Sequence, residues 1–273
     1  FNLDGRRCLQ LENAGLPTLG TRIRDESRLT FDQLERYGGD LLEAAAHLEA
    51  RGVLHRDIKP DNLGVRPDSS GLPRIVLFDF SLSREPIEQV RAGTPPYLDP
   101  FLGGGRRPRY DRAAERFAIA VTLFEMAAGE KPVWGSGEAD PATIADEVNL
   151  APDMFEAPVA AAMMAFFRKA LARDSAQRFG DLSELAQAWA QIFRAVDAST
   201  SVSRAGADGD ESGDTETDDV PVTLSTPLVE AGFSARALSA LARLDVATVG
   251  ELLATSQFRV NSISGIGGKT RRE

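Results

Sequence analysis

The sequence predicts a mainly α protein: a large helical unit carrying short β hairpins, followed by a small all-α unit. Three observations predict this. Apolar residues recur at helical spacing through residues 31–52, 158–173 and 181–196, and residues 112–130 are apolar almost throughout. Only two short stretches, 8–15 and 74–80, read as strand. From Ala198 to Thr226 the composition shifts to Ser, Thr, Gly and Asp, with seven acidic residues and no basic one between Asp208 and Asp219. The expected boundaries are 1–196 for the large unit, 197–226 for an acidic disordered linker and 227–273 for the small unit.

Taken in order, "CLQLENAG" (8–15) reads as a short strand running into a turn. In "FDQLERYGGDLLEAAAHLEARG" (31–52), Leu34, Leu41, Ala45 and Leu48 fall on one helical face, Thr30 is placed to cap it and Gly52 to stop it. "RIVLFDF" (74–80) reads as a short buried strand ending at Asp79. "RAAERFAIAVTLFEMAAGE" (112–130) is apolar on all sides, so it should be buried on all sides and form the central pillar. Residues 158–173 and 181–196 read as amphipathic helices. The linker cannot bury enough apolar surface to offset its ordering entropy, and a tether of that length spans roughly 30 Å on average. Beyond Pro227, "SARALSALARLDVATVGELLAT" reads as two short helices and "SISGIGGKTRRE" as a hairpin opening a third.

The totals exclude several classes. A net charge of −10 argues against a molecule that binds nucleic acid over its whole surface. Cys8 is the single cysteine and His47 and His55 the two histidines, so neither an internal disulfide nor a cysteine or histidine metal cluster is expected. No apolar run reaches the roughly 18–20 residues that cross a bilayer. A reducing, cytoplasmic setting without a membrane is expected. The chain opens on Phe1 and closes on "GGKTRRE" just where a helix should begin, so the expectation is a piece of a longer protein.

The stretch "GVLHRDIKPDNLGV" (52–65) carries the chemistry. The Asp57 carboxylate can orient a hydroxyl and accept its proton. Lys59, two residues on in extended backbone, falls on the same side and can neutralise phosphoryl oxygens. Asn62 offers an amide oxygen to a hard cation such as Mg²⁺, and Asp79 a charged ligand for the same ion. Phosphoryl transfer asks mainly for positioning and charge neutralisation, which these four groups supply.

His-Arg-Asp-x-Lys-Pro-x-Asn followed by a strand ending Asp-Phe resembles the C-terminal lobe of the eukaryotic-like (Hanks-type) protein kinases, over about Phe1–Ala195. The resemblance implies that Asp57 is the catalytic aspartate, Lys59 the lysine on the γ-phosphate of Ser/Thr kinases, and Asn62 and Asp79 ligands of Mg²⁺ (or Mn²⁺), with ATP as substrate and a protein as acceptor. It implies a hinge at Glu12, Asn13 and Ala14 against the adenine, and an activation segment containing Ser81, Ser83 and Thr94. There Arg56 would either pair with a phosphate or pack locally. "GTPPYLDPF" (93–101) resembles the substrate-docking end of that segment. Glu115 stands where such kinases usually have aspartate, Ser81 stands in place of glycine, and Phe101 in place of a glutamate. Arg178 therefore needs another partner, with Asp99 the candidate. No glycine-rich loop and strand lysine are found, so the nucleotide-gripping N-lobe is expected upstream of Phe1. The alternative is a kinase-like scaffold or docking module without catalysis.

"SISGIGGKTRRE" fits a helix-hairpin-helix pattern, in which Gly265 and Gly267 permit the turn and Lys269, Arg271 and Arg272 supply cations for a DNA phosphate. With the preceding residues it resembles the C-terminal domain of the bacterial RNA polymerase α subunit, which implies a DNA, nucleoprotein or protein partner. A kinase lobe joined to such a unit, with "AGLPTLGTRIRDESRL" and "HLEARGVLHRDIKPDNLGVR", resembles the bacterial kinases of phage-growth-limitation and related phage-defence systems.

Overall fold

The structure, a computed structural model, describes residues 2–8, 10–26, 28–103, 107–205, 222–255, 259, 260, 263 and 270. Helices dominate, as expected. Among the described residues two antiparallel hairpins accompany them: β1 (Asn2–Leu3) with β2 (Arg6–Arg7), and β3 (Leu63–Pro67) with β4 (Pro73–Leu77). The first corrects the expected strand at 8–15. Asp4 and Gly5 both adopt positive φ, 51° and 77°, which closes a two-residue hairpin turn for which Asp-Gly is a favoured pair. Residues 10–15 instead run as irregular chain along β3.

A helix absent from the sequence expectations, α1 (Leu19–Glu26), follows. Its Leu19 and Ile23, one turn apart, are buried, and the Thr18 hydroxyl accepts from the Thr21 amide at its start. Helix α2 (Phe31–Ala50) opens on a capping box in which Thr30 and Gln33 satisfy each other's amides. Its Asp40 accepts from Arg74 Nε at 2.8 Å and from the Ile75 amide at 2.9 Å, which fastens β4 to the helix. β4 is half-buried rather than buried, and it ends at Leu77, two residues short of Asp79.

Helix α3 (Arg112–Ala128) is the predicted pillar, with buried residues on every face from Ala114 to Ala127. The Asp111 side chain accepts from the Ala114 amide at its start, and Gly129, at φ 80°, ends it in the left-handed conformation. Against it packs α4 (Ala160–Ala170), and α5 (Leu182–Ala205) packs in turn on α4 and on α2. An aromatic cluster fills the join: Phe124, Phe155, Phe166, Phe167 and Trp189 lie with ring centroids 5.0–6.3 Å apart. Each fully buried ring contributes roughly 1.5–3 kcal/mol. Gly38 of α2 is required here, because a Cβ would lie 2.4 Å from the Trp189 indole nitrogen.

Helix α5 runs to Ala205, nine residues past the expected boundary at 196. The loss of apolar side chains marks where its packed face ends, whereas backbone helix needs only its own hydrogen bonds. Beyond it, α6 (Ala235–Leu241) and α7 (Val249–Ala254) are the two expected short helices, packed around Leu228, Leu241, Leu244 and Ile263. Gly265, Gly267, Lys269, Arg271 and Arg272 lie outside the described residues, so the hairpin does too. Among the described residues no helix is long and apolar enough to cross a membrane.

Candidate active site

The β3–β4 register builds one side of the site. Leu63 pairs with Leu77, and one step beyond, the Phe78 amide donates to the Asn62 carbonyl at 3.1 Å. Residues 62 and 79, which are far apart in sequence, are thereby brought to the same end of one hairpin. Asp79 itself adopts φ 65°, and its carboxylate accepts from the Ser81 amide at 3.3 Å.

The loop at 55–62 builds the other side. Lys59 Nζ donates to Asp57 Oδ2 at 2.7 Å and to the Thr94 hydroxyl at 2.6 Å, and that hydroxyl donates to Asp57 Oδ1 at 2.7 Å. Asn62 Nδ2 donates to the Asp57 carbonyl at 2.8 Å and to Oδ2 at 3.0 Å. Asp57, Lys59, Asn62 and Thr94 are therefore one connected group. Burial pushes the Asp57 carboxyl up, but Lys59, Thr94 and Asn62 together hold it below the usual aspartate range. With its Nδ2 committed to Asp57, Asn62 has its amide oxygen left to face a cation. One amide oxygen and the Asp79 carboxylate are hard donors that fit Mg²⁺ shared with a phosphate chain, rather than an all-protein cage.

His55 joins the two sides. It is fully buried, its Nδ1 accepts from the Asp57 amide at 3.3 Å, and its Nε2 faces the Phe78 carbonyl at 3.0 Å. Those partners require the neutral Nε2–H tautomer. Its ring lies 4.6 Å from that of Phe80, so the residues on either side of Asp79 both rest on it. Burial lowers the His55 pKa, against the Phe78 carbonyl that favours the charged form. We expect its imidazole resonances to titrate below the ordinary value of about 6.5. Because the unfolded chain binds the proton and the folded chain resists it, the stability this contributes is present above about pH 6.5 and is lost as pH falls below it. A ¹H–¹⁵N titration showing His55 protonated at pH 7 would contradict the assignment.

Glu115 sets the shape of the loop. This carboxylate is buried in the pillar helix and accepts from the His55 amide at 2.5 Å, the Arg56 amide at 3.1 Å and the Tyr110 hydroxyl at 2.7 Å. Arg56 needs the support, since it sits at φ 71°, a region L-residues rarely occupy. Burial pushes the Glu115 carboxyl up, against the Tyr110 hydroxyl and the two amides. An acid in an otherwise apolar helix marks this residue as needing partners; Tyr110 is five residues away, but the amides of Arg56 and His55 are 59 and 60 residues away and left no trace.

Arg56 is held by backbone carbonyls of the segment that follows β4. Its guanidinium donates to the carbonyls of Glu85, Pro86 and Gln89 at 2.6, 3.0 and 2.6 Å and lies 4.8 Å from the centroid of the Tyr110 ring. Ser81 and Ser83 sit in the 3₁₀ turn that Glu85 closes, the Ser83 hydroxyl donating to the Phe80 carbonyl. Ser81 is not at positive φ, so it needs none of glycine's freedom. In the stretch expected to form the hinge, the exposed Glu12 pairs with Arg66, the Asn13 side chain accepts from the Gly15 amide at 2.9 Å, and Ala14 lies so close to Gly64 that a Cβ there would be 2.1 Å from the Ala14 carbonyl oxygen. Arg178 finds Asp99, with Nη1–Oδ2 at 2.7 Å and Nη2–Oδ1 at 3.2 Å. Phe101 packs edge-on to Phe117 and Trp134.

A helical lobe whose hairpin and buried pillar gather an aspartate, a lysine and an asparagine around one point has the makings of a phosphoryl-transfer site. The protein kinase domain family matches residues 1–191, and the chain belongs to that family. It is 39% identical to the "Probable kinase PglW" of Streptomyces coelicolor, over 94% of this chain and 18% of that protein. It is 31% identical to the serine/threonine-protein kinase AtPK1/AtPK6 of Arabidopsis thaliana, over 42% of this chain and 24% of that protein. It is 30% identical to "Serine/threonine-protein kinases drp72" of Corynebacterium efficiens, over 61% of this chain and 33% of that protein. The chain thus spans a third or less of each of these relatives.

Proposed function

We propose that this chain is the catalytic lobe of a cytoplasmic serine/threonine protein kinase acting in a bacterial phage-defence system, and that it uses ATP with Mg²⁺. The observation that carries the reading is the Asp57 carboxylate, bonded at 2.7 Å by both Lys59 and the Thr94 hydroxyl. Thr94 donates to Oδ1 as an incoming acceptor alcohol would. In the reaction the acceptor oxygen bonds the γ-phosphorus, the bond to the bridging oxygen breaks, and ADP leaves. Asp57 aligns the alcohol and takes its proton. Lys59 holds positive charge beside the transferring oxygens. Asn62 and Asp79 would hold Mg²⁺, which when bound neutralises the developing phosphate charge.

A cavity of about 400 Å³ opens beside Thr94, lined in part by Pro95, Pro96, Leu98, Val133 and Trp134. It suits an apolar residue next to the acceptor hydroxyl. Lys59 and the serine/threonine kinases among the relatives support the choice of hydroxyl. The likeness to the Streptomyces protein and the resemblance to phage-growth-limitation kinases support the setting. The phosphate-binding role of Lys269, Arg271 and Arg272 in the terminal unit rests on their sequence pattern.

The test is transfer of labelled γ-phosphate by the full-length protein. Asn62→Ala and Asp79→Ala should each raise the magnesium concentration needed for half-maximal transfer. Equal transfer and equal metal dependence in wild type and both variants would remove the metal-binding assignment, and no transfer above background by the wild type would leave the non-catalytic scaffold as the better reading.

A further inference from the structure

The small C-terminal unit was expected at the end of a free tether, but α6 lies against the corner where α1 passes into α2. The contact is polar and complementary. Arg236 donates to Asp32 at 2.9 Å and to Glu35 at 2.8 Å. Arg243 donates to Glu26 at 2.6 Å and also reaches the Arg28 carbonyl. Between the two arginines, Ser239 is buried. Its hydroxyl accepts from the Phe31 amide at 3.3 Å and donates to Glu156 at 2.8 Å. Phe31 is the first residue of α2, so Ser239 satisfies one of the amides that a helix start leaves without an internal partner. Residues 236, 239 and 243 recur at helical spacing and form one face.

The receiving corner leads to the site. Helix α1 packs on the 3₁₀ turn Pro60–Asn62 of the catalytic loop. Arg24 pairs with Asp61 at 3.0 Å, and Gly20 lets that turn come so close that a Cβ would stand 2.4 Å from an Asp61 carboxylate oxygen. Arg243 therefore grips one end of the same helix whose other face buttresses the loop bearing Asn62.

We propose that the α1–α2 corner is a receptor for the chain's own helix α6, held in cis by Arg236, Ser239 and Arg243, and that this latch steadies α1 behind the catalytic loop. Complementary charge fixes the occupant: the Arg236 guanidinium on α6 and that of Arg243 in the 3₁₀ turn directly after it (Ala242–Leu244) meet Asp32, Glu35 and Glu26. Reach permits it, because residues 206–221 can extend over as much as about 55 Å. The inference concerns the packing of the chain and holds whether or not the lobe transfers phosphate, so its failure is separate from failure of the kinase reading.

Charge reversal and re-pairing in the full-length protein test it. Arg243→Glu and Glu26→Arg should each lower the thermal midpoint by about 3–6 °C and speed amide exchange by about tenfold or more in both residues 235–244 and residues 19–26. Combined in one chain, the two changes should restore both readings, which a merely misfolded variant would not do. Mixing the two single variants should restore neither. Unchanged exchange in residues 19–26 when 235–244 is released would overturn the link to α1. Rescue on mixing would place α6 on a second copy of the chain and overturn the latch in cis. Single variants indistinguishable from wild type would remove it altogether.

Discussion

Replacing Asp57 with alanine is expected to reduce phosphate transfer by about 10²–10⁴-fold, the range over which a positioned acid or base acts, while leaving the lobe folded. Asn62 keeps its 2.8 Å bond to the residue 57 carbonyl. Lys59 keeps Thr94 at 2.6 Å and is itself partly exposed, so water can solvate it. Glu115 holds the loop through the amides of His55 and Arg56, which the substitution does not touch. The loss should therefore fall on the rate at saturating ATP, and initial-rate measurements with a thermal melt of the same sample check both halves. Wild-type transfer by the variant would end the catalytic assignment. Because the Asp57 carboxyl is held below the ordinary range, it is ionised throughout neutral pH. The stability its pairing contributes is present above the unfolded value of about 3.9 and is lost only as pH falls through the lower folded value.

Asp99→Ala should strongly destabilise the lobe. The Asp99 carboxylate is buried, takes both terminal nitrogens of Arg178 and accepts from Arg107 at 2.6 Å. It also accepts from the Phe101 amide at 3.1 Å. Arg178 is buried as well, over the Phe117 ring at 4.7 Å. Removing the acid leaves that guanidinium without its counter-charge, although the Ala172 and Arg173 carbonyls still accept from it. Breaking a buried pair from one side costs about 3–5 kcal/mol, or roughly 6–20 °C in Tm for a domain of this size. Arg107 retains Asp111 at 2.7 Å, so most of the loss belongs to Arg178. A melt within about 2 °C of wild type would show that the pair contributes little.

Much of the site was legible because its parts are close in sequence. Asp57, Lys59 and Asn62 lie within one loop, and the two-residue spacing of Asp57 and Lys59 sets that pair on one side. The pillar helix was legible because a segment apolar on every face has nowhere to go but the interior. Helix α1 went unread although Leu19 and Ile23 sit one turn apart, since eight residues give too short a period to stand out. Asp4-Gly5 is a favoured hairpin pair, but the strands it joins are two residues each and carry no alternating pattern, whereas the stretch after them is more apolar.

The sequence by itself determined the longer helices, the Thr30 cap of α2, the acidic break and which polar groups share the 55–62 loop, because periodicity and capping depend on neighbours within about four residues. Only the tertiary structure decided who meets whom. Thr94 reaches Asp57 across 37 residues, Glu115 shapes the loop from 60 residues away, Arg178 finds Asp99 across 79, and Ser239 caps α2 from 208. Such pairings are set by how finished helices and hairpins pack against α3. Their partners therefore leave no periodic trace in the chain, and a buried Glu or Arg announces only that it needs one.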